Sequence, residues 1–276
     1  MPVLLTRLLT FALIAAARLA SATLEVHSEF LRVDPTGEIL PVDATPKPRE
    51  ILSPAVVRNG FASFHVVVRS PRVTSYFLFV AANPTNIVRT TLYKEEFVKR
   101  GDDWIPDALK PLRSPNFGAI PDGEASIPGQ TACVYLLDVW VPPEAPPGTM
   151  RLEVQLKVGV WIIYPMEIRI LPAVVSQTRS SAPRPLPGVE ERADQSVEAP
   201  LLRFMEHHAA GTHQSKSAVP QTLREVIRRN AEQDMALAQA LDSKTLIPAM
   251  KEKLAASTGG GEWYLTIRDM IYRLSK

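Results

Sequence analysis

Residues 131–171 read TACVYLLDVWVPPEAPPGTMRLEVQLKVGVWIIYPMEIRIL. Within 150–158, apolar Met150, Leu152, Val154, Leu156 and Val158 alternate with polar Arg151, Glu153, Gln155 and Lys157. Successive side chains on a strand point to opposite faces, so this pattern predicts a strand with one buried and one wet face. Residues 131–141 are apolar on nearly both faces, as a central strand requires. Residues 161–171 predict a third strand, with Met166, Ile168 and Ile170 on one side and Glu167 and Arg169 on the other. Pro142, Pro143, Pro146, Pro147 and Gly148 supply the connection between the first two, because proline cannot donate to a ladder and glycine permits a tight turn. Three strands marked this way imply an antiparallel sandwich.

Working outward, the same pattern continues upstream. Strands are expected over 24–33 and 38–42, joined by Asp34-Pro35-Thr36-Gly37 as a hairpin at the sandwich edge. Strands over 51–57 and 61–69 flank Asn59-Gly60, a strong short hairpin signal. On the second of these, Phe64, Val66 and Val68 share one face, and His65 on the other is expected to be partly exposed. Further strands are expected over 76–82 and 87–98. Residues 99–129, with five prolines and four glycines, read as a long irregular region. Long loops of this kind are commonly functional, so a binding site is expected there. Its candidate residues are Trp104, Asp107 and Phe117, with Tyr93 on the preceding strand. Asp102, Asp103, Asp107 and Asp122 lack the ordered spacing of a calcium loop, and no metal or cofactor is expected.

The totals bound the function. The chain has 276 residues, 46% of them hydrophobic, ample for a core. Twenty-five prolines against 13 glycines suit punctuated strands and stiff linkers better than a helix bundle. A formal charge of +2, with no long basic run, gives no argument for a nucleic-acid partner, and none is expected. The single cysteine, Cys133, allows no internal disulfide and reads as a small core residue. Residues 1–22 read as a signal peptide: Arg7 precedes an apolar run over 8–17, and Ala20-Ser21-Ala22 fits a small-x-small cleavage site. The protein is therefore expected to be exported, periplasmic or secreted, with no transmembrane span after the leader.

Beyond the strands the composition shifts. Residues 176–200 are rich in proline and small polar residues and read as a linker. Residues 201–276 read as a helical appendage. Its clearest helix covers 221–241, where Leu223, Val226, Ile227, Ala231, Met235, Ala238 and Leu241 form an apolar stripe and Arg224, Arg228 and Arg229 fall mainly elsewhere. His207, His208 and His213 lack the spacing of a helical zinc site. Gly259-Gly260-Gly261 reads as a flexible joint. The fold class is thus mainly β: an Ig-like antiparallel β-sandwich over 23–175, a linker, and a small α-helical C-terminal region.

Three blocks carry a family resemblance: VRNGFASFHVVV at 57–68, WIPDAL at 104–109 and VWVPPEAPPG at 139–148. Together they resemble the N-terminal β-sandwich found ahead of the catalytic barrel in glycoside hydrolase family 123-like proteins. The resemblance implies a sandwich over 52–171. It does not bring the family's chemistry, because the catalytic acids sit in a barrel of about 250 residues and only about 100 follow residue 175 here.

The functional expectation is an exported, non-catalytic module that binds a glycan or an envelope protein. Sugar rings stack on aromatic faces, and Trp104, Phe117, Trp140 and Trp161 are the available rings. Two alternatives stand beside it. One is a glycoside-hydrolase-like enzyme or its accessory, using His65 with Asp107 or Asp138. The other is an assembly protein that docks through its C-terminal helices.

Overall fold

A computed structural model describes residues 22–44, 54–174, 221–227, 229–230 and 233. The strands are β1 (Thr23–Ser28), β2 (Ala55–Arg58), β3 (Gly60–Arg69), β4 (Thr74–Asn83), β5 (Arg89–Arg100), β6 (Asp103–Leu112), β7 (Asn116–Ile120), β8 (Ala132–Val141), β9 (Gly148–Val158) and β10 (Val160–Val174). They form two five-stranded sheets, β1-β3-β8-β5-β6 (sheet I) and β2-β10-β9-β4-β7 (sheet II). Every pairing is antiparallel except that of β2 with β10, where Ala55 lies opposite Arg169.

The alternation on β9 does what it predicts. Met150, Leu152, Val154 and Leu156 enter the core between the sheets, where they meet Phe64, Val66, Tyr135, Leu137, Val139 and Ile168. β8 lies in the middle of sheet I, as its two-sided apolarity requires. The partner of its second face is a third layer. Val33 packs against Val67, Ala132 and Val134, and Leu40 against Ile105, so residues 29–44 fold over the outside of sheet I. The described residues among 221–233 join this cover, with Leu223, Val226, Ile227 and Asn230 buried. Sheet II carries no such layer among the described residues.

Four expectations are corrected. Asn59-Gly60 closes no hairpin: β2 belongs to sheet II and β3 to sheet I, so this pair turns a corner between sheets. Asn59 adopts φ 58°, and a Cβ on Gly60 would lie 2.7 Å from the Val57 carbonyl oxygen. Those turn residues fix a local bend but do not choose a strand's partner. The predicted strand over 24–33 ends at Ser28. Beyond it the Asp34 carboxylate accepts the Thr36 and Glu38 amides at 2.8 and 3.0 Å, and only Val33 and Ile39 bridge across the turn. The irregular region over 99–129 contains β6 and β7. Both are edge strands, where prolines such as Pro106 and Pro111 are tolerated because one side of the ladder is free. His65 is wholly buried instead of partly exposed.

In the C-terminal region, 223–227, 229–230 and 233 are helical. Gln221 and Thr222 precede them; the rest of the expected helical appendage, the 176–200 linker and residues 1–21 of the expected leader lie outside the described residues, and the described chain is mainly β. Among the described residues no helix is long and apolar enough to cross a membrane.

Candidate functional site

The open face of sheet II is built by register. Tyr76 and Leu78 of β4 enter the core, so Phe77 between them and Phe79 after them face outward. Phe77 lies opposite Phe117 of β7 on one side and Lys157 of β9 on the other; Lys157 in turn lies opposite Trp161 of β10. A single cross-strand row therefore runs Phe117, Phe77, Lys157, Trp161. The ring centroids of Phe77 and Phe117 are 5.2 Å apart and those of Phe77 and Trp161 6.0 Å, both edge to face. This is a favoured aromatic geometry, since a positive ring edge meets a negative ring face. Lys157 Nζ stands 5.0 Å from the Trp161 ring centroid. Phe117 is 78% exposed, Trp161 50% and Ile163, beside Trp161 along the same face, 53%. Phe117 reaches this position because its neighbour Gly118 leaves room for the Tyr76 ring, which a Cβ there would meet at 2.5 Å.

The sequence candidates are not brought together. Phe117 stands in the row just described. Trp104 is the second residue of β6 in the other sheet, half-buried, with Lys99 Nζ 5.9 Å from its ring centroid. Asp107 is the extra residue of a bulge, since Pro106 pairs with Phe97 and Ala108 with Glu96. Tyr93 is buried on the covered side of sheet I, where desolvation and the nearby Asp138 charge push its phenol up against the opposing Arg229 charge. Trp140 carries the Arg89 guanidinium 5.0 Å from its ring centroid. Asp122 is engaged by Lys94, and Glu124 by Lys110 at 3.0 Å. Lys94, Asp122 and Glu124 line a cleft of about 260 Å³ beside Gln130 and Cys133, where β5 and β8 cease to pair. Among the described residues no cluster of His, Cys, Asp and Glu is placed to hold a metal ion.

A second polar assembly lies beneath the cover of sheet I. His65 Nδ1 is 2.6 Å from Glu95 Oε1 and Nε2 is 3.2 Å from the Glu29 carbonyl oxygen. Ser63 donates to Asp138 at 2.7 Å, and Arg229 donates to both oxygens of the same carboxylate at 2.7 and 3.0 Å. Asp138 is thus committed to Arg229 and Ser63, and His65 to Glu95. The sequence reading missed Glu95, Glu29, Arg229 and Asn230 here, and Phe77 and Lys157 on the open face. The threonine and glutamate of Thr222-x-x-Glu225 are a legible signal for the helix start: the Thr222 hydroxyl accepts the Glu225 amide at 3.3 Å, and the Glu225 carboxylate accepts the Gln221 amide at 2.7 Å.

No family model matches the chain, and no curated protein matches it. Among solved structures it is similar to a family 123 glycoside hydrolase from Clostridium perfringens, at 11% identity and a TM-score of 0.40, over 57% of this chain and 28% of that one. It is also similar to the C-terminal domain of the AgI/II polypeptide BspA of Streptococcus agalactiae, at 12% identity and a TM-score of 0.30, over 56% of this chain and 51% of that one. The major pilin subunit BcpA of Bacillus cereus follows at 10% identity and a TM-score of 0.25, over 55% and 40%. The chain thus spans about a quarter of the first and about half of the second. The family 123 resemblance is met as weak fold similarity alone.

Proposed function

We propose that this chain is a non-catalytic module that binds a glycan on the open face of sheet II. The observation that carries the reading is the row of Phe117, Phe77 and Trp161, three rings from three strands on a face that no other described element covers. Ring faces carry negative quadrupole charge, so they attract the polarised C–H groups on the apolar side of a pyranose. Lys157 and Gln155 lie beside the rings on β9 and offer donors to sugar hydroxyls. Strands hold such a constellation more firmly than loops do. His65 and Asp138, which a hydrolytic reading would use, are buried and engaged elsewhere. A glycan ligand also agrees with the export that a 1–22 leader would bring about.

The test is affinity electrophoresis of the full chain in gels containing soluble β-glucan or xylan, with sedimentation on purified peptidoglycan. At least one of these glycans should retard or sediment the protein. Trp161→Ala should weaken that binding at least tenfold, equivalent to about 1.4 kcal/mol, while leaving the thermal midpoint nearly unchanged. Trp104→Ala should bind as the parent does. Binding that survives Trp161→Ala and Phe117→Ala but is lost with Trp104→Ala would move the site to β6. No retention by any of the three would refute a glycan site of this kind.

A further inference from the structure

The covering helix is held by side chains in a fixed register. Arg229 forks onto Asp138 and lies 3.5 Å over the Phe61 ring. Asn230 donates to Glu29 Oε2 at 2.6 Å and to Ser63 Oγ at 3.0 Å, while its own oxygen accepts from Arg229 at 3.1 and 3.2 Å. Gln233 Oε1 accepts the Phe61 amide at 2.9 Å. At the start of the segment, the Gln221 carbonyl accepts the Leu109 amide at 2.7 Å, and Thr222 bridges Ala108 on the otherwise free edge of β6. Leu223, Val226, Ile227 and Asn230 fall at helical spacing and are all buried.

We infer that the outer face of sheet I is a recognition groove for a helical peptide, and that residues 221–233 are its occupant from the same chain. The groove sets the sequence it accepts. Its Asp138 carboxylate calls for a forked cation, and Phe61 beside it fits a planar guanidinium better than an ammonium. Ser63 and Glu29 call for an amide donor at the next position, and the Phe61 amide calls for an acceptor four residues beyond the arginine. Three apolar positions at the start of the helix complete the pattern. About 46 residues separate β10 from this segment, enough to span well over the width of the domain, so the chain connection is not what sets the register. Recognition of this kind survives loss of the covalent link.

The experiment uses the full chain with one engineered protease site among residues 185–195. After cleavage at micromolar concentration, size exclusion with light scattering should find the two pieces together as a 1:1 complex. A labelled synthetic peptide of residues 219–236 should exchange into the cut complex and be competed by the same peptide without label. The peptide carrying Arg229→Ala and Asn230→Ala should compete at least about 100-fold less well, the loss expected when partners of buried charged groups are removed. This comparison needs no variant of the sandwich to fold. Separation of the pieces on cleavage, or equal competition by the two peptides, would overturn the inference.

Discussion

Replacing Glu95 with glutamine should change how stability depends on pH. His65 is fully enclosed, with a carboxylate oxygen 2.6 Å from one ring nitrogen and a backbone carbonyl 3.2 Å from the other. The Glu29 carbonyl accepts, and an ionised Glu95 carboxylate accepts as well, an arrangement that favours the charged ring. Burial acts to strip its proton. The Glu95 charge and hydrogen bond, the Glu29 carbonyl and the Asp43 charge outweigh burial and raise the His65 pKa above its ordinary 6.5. In the unfolded chain the ring releases its proton near pH 6.5, so above that pH the folded protein holds one proton more. Stability then falls with pH by up to about 1.4 kcal/mol per unit. This contribution is fully present below pH 6.5 and is lost as pH rises through the folded value. Urea unfolding of the parent, His65→Gln and Glu95→Gln from pH 6 to 9 at constant ionic strength reads it directly. The parent minus His65→Gln difference should decline with that slope and then level. Glu95→Gln should run parallel to His65→Gln, because an amide holds no charge against burial. Parallel parent and His65→Gln curves, or a parental slope in Glu95→Gln, would refute the charge assignment.

Three further outcomes follow from the same geometry. Arg229→Met should cost about 3–5 kcal/mol by leaving the buried Asp138 charge without its cation, and Asp138→Asn in the same chain should recover most of it in a denaturant double-mutant cycle. Gly118→Ala should lower the thermal midpoint, at about 1–3 kcal/mol, because its Cβ would meet a Tyr76 ring whose hydroxyl is bonded to Tyr135. Phe117→Ser should cost under about 1 kcal/mol, the price of one exposed ring contact, yet weaken glycan retention in the electrophoretic assay.

The strands with one wet face were legible because alternation is a local signal. β9 is the clearest case, with Arg151 and Lys157 outward and Leu152 and Leu156 inward. β8 was legible as central, but the reason for its two-sided burial lies in residues 29–44 and 221–233, which no window around β8 contains. β6 and β7 were not legible as strands: Pro106, Pro111 and Gly118 suppress the pattern, and what makes them tolerable is an edge position that only the assembled sheet defines. The sheet assignment of β2 was hidden for a related reason, since Asn59-Gly60 reports a bend and not a partner. At the candidate site, Phe117 and Trp161 could be named as rings. Their alignment through Phe77 and Lys157 depends on three strand registers that composition does not encode. The polar assembly under the cover links residues as far apart as Glu29 and Asn230, whose types are ordinary and whose meeting is purely tertiary.

The third layer also imposes an order of events during synthesis. Asn230 closes contacts with Glu29 across 201 positions of sequence, so the strands of both sheets are synthesised well before the C-terminal part of the cover on sheet I. The intervening stretch of about 56 residues takes roughly 3–11 s to translate at 5–20 residues per second. Through that interval Ser63, Asp138 and the free edge of β6 stand uncovered on a nascent chain. This exposed, incompletely satisfied face is where a holding factor would have its opportunity, and translation speed through the proline-rich stretch sets how long that opportunity lasts.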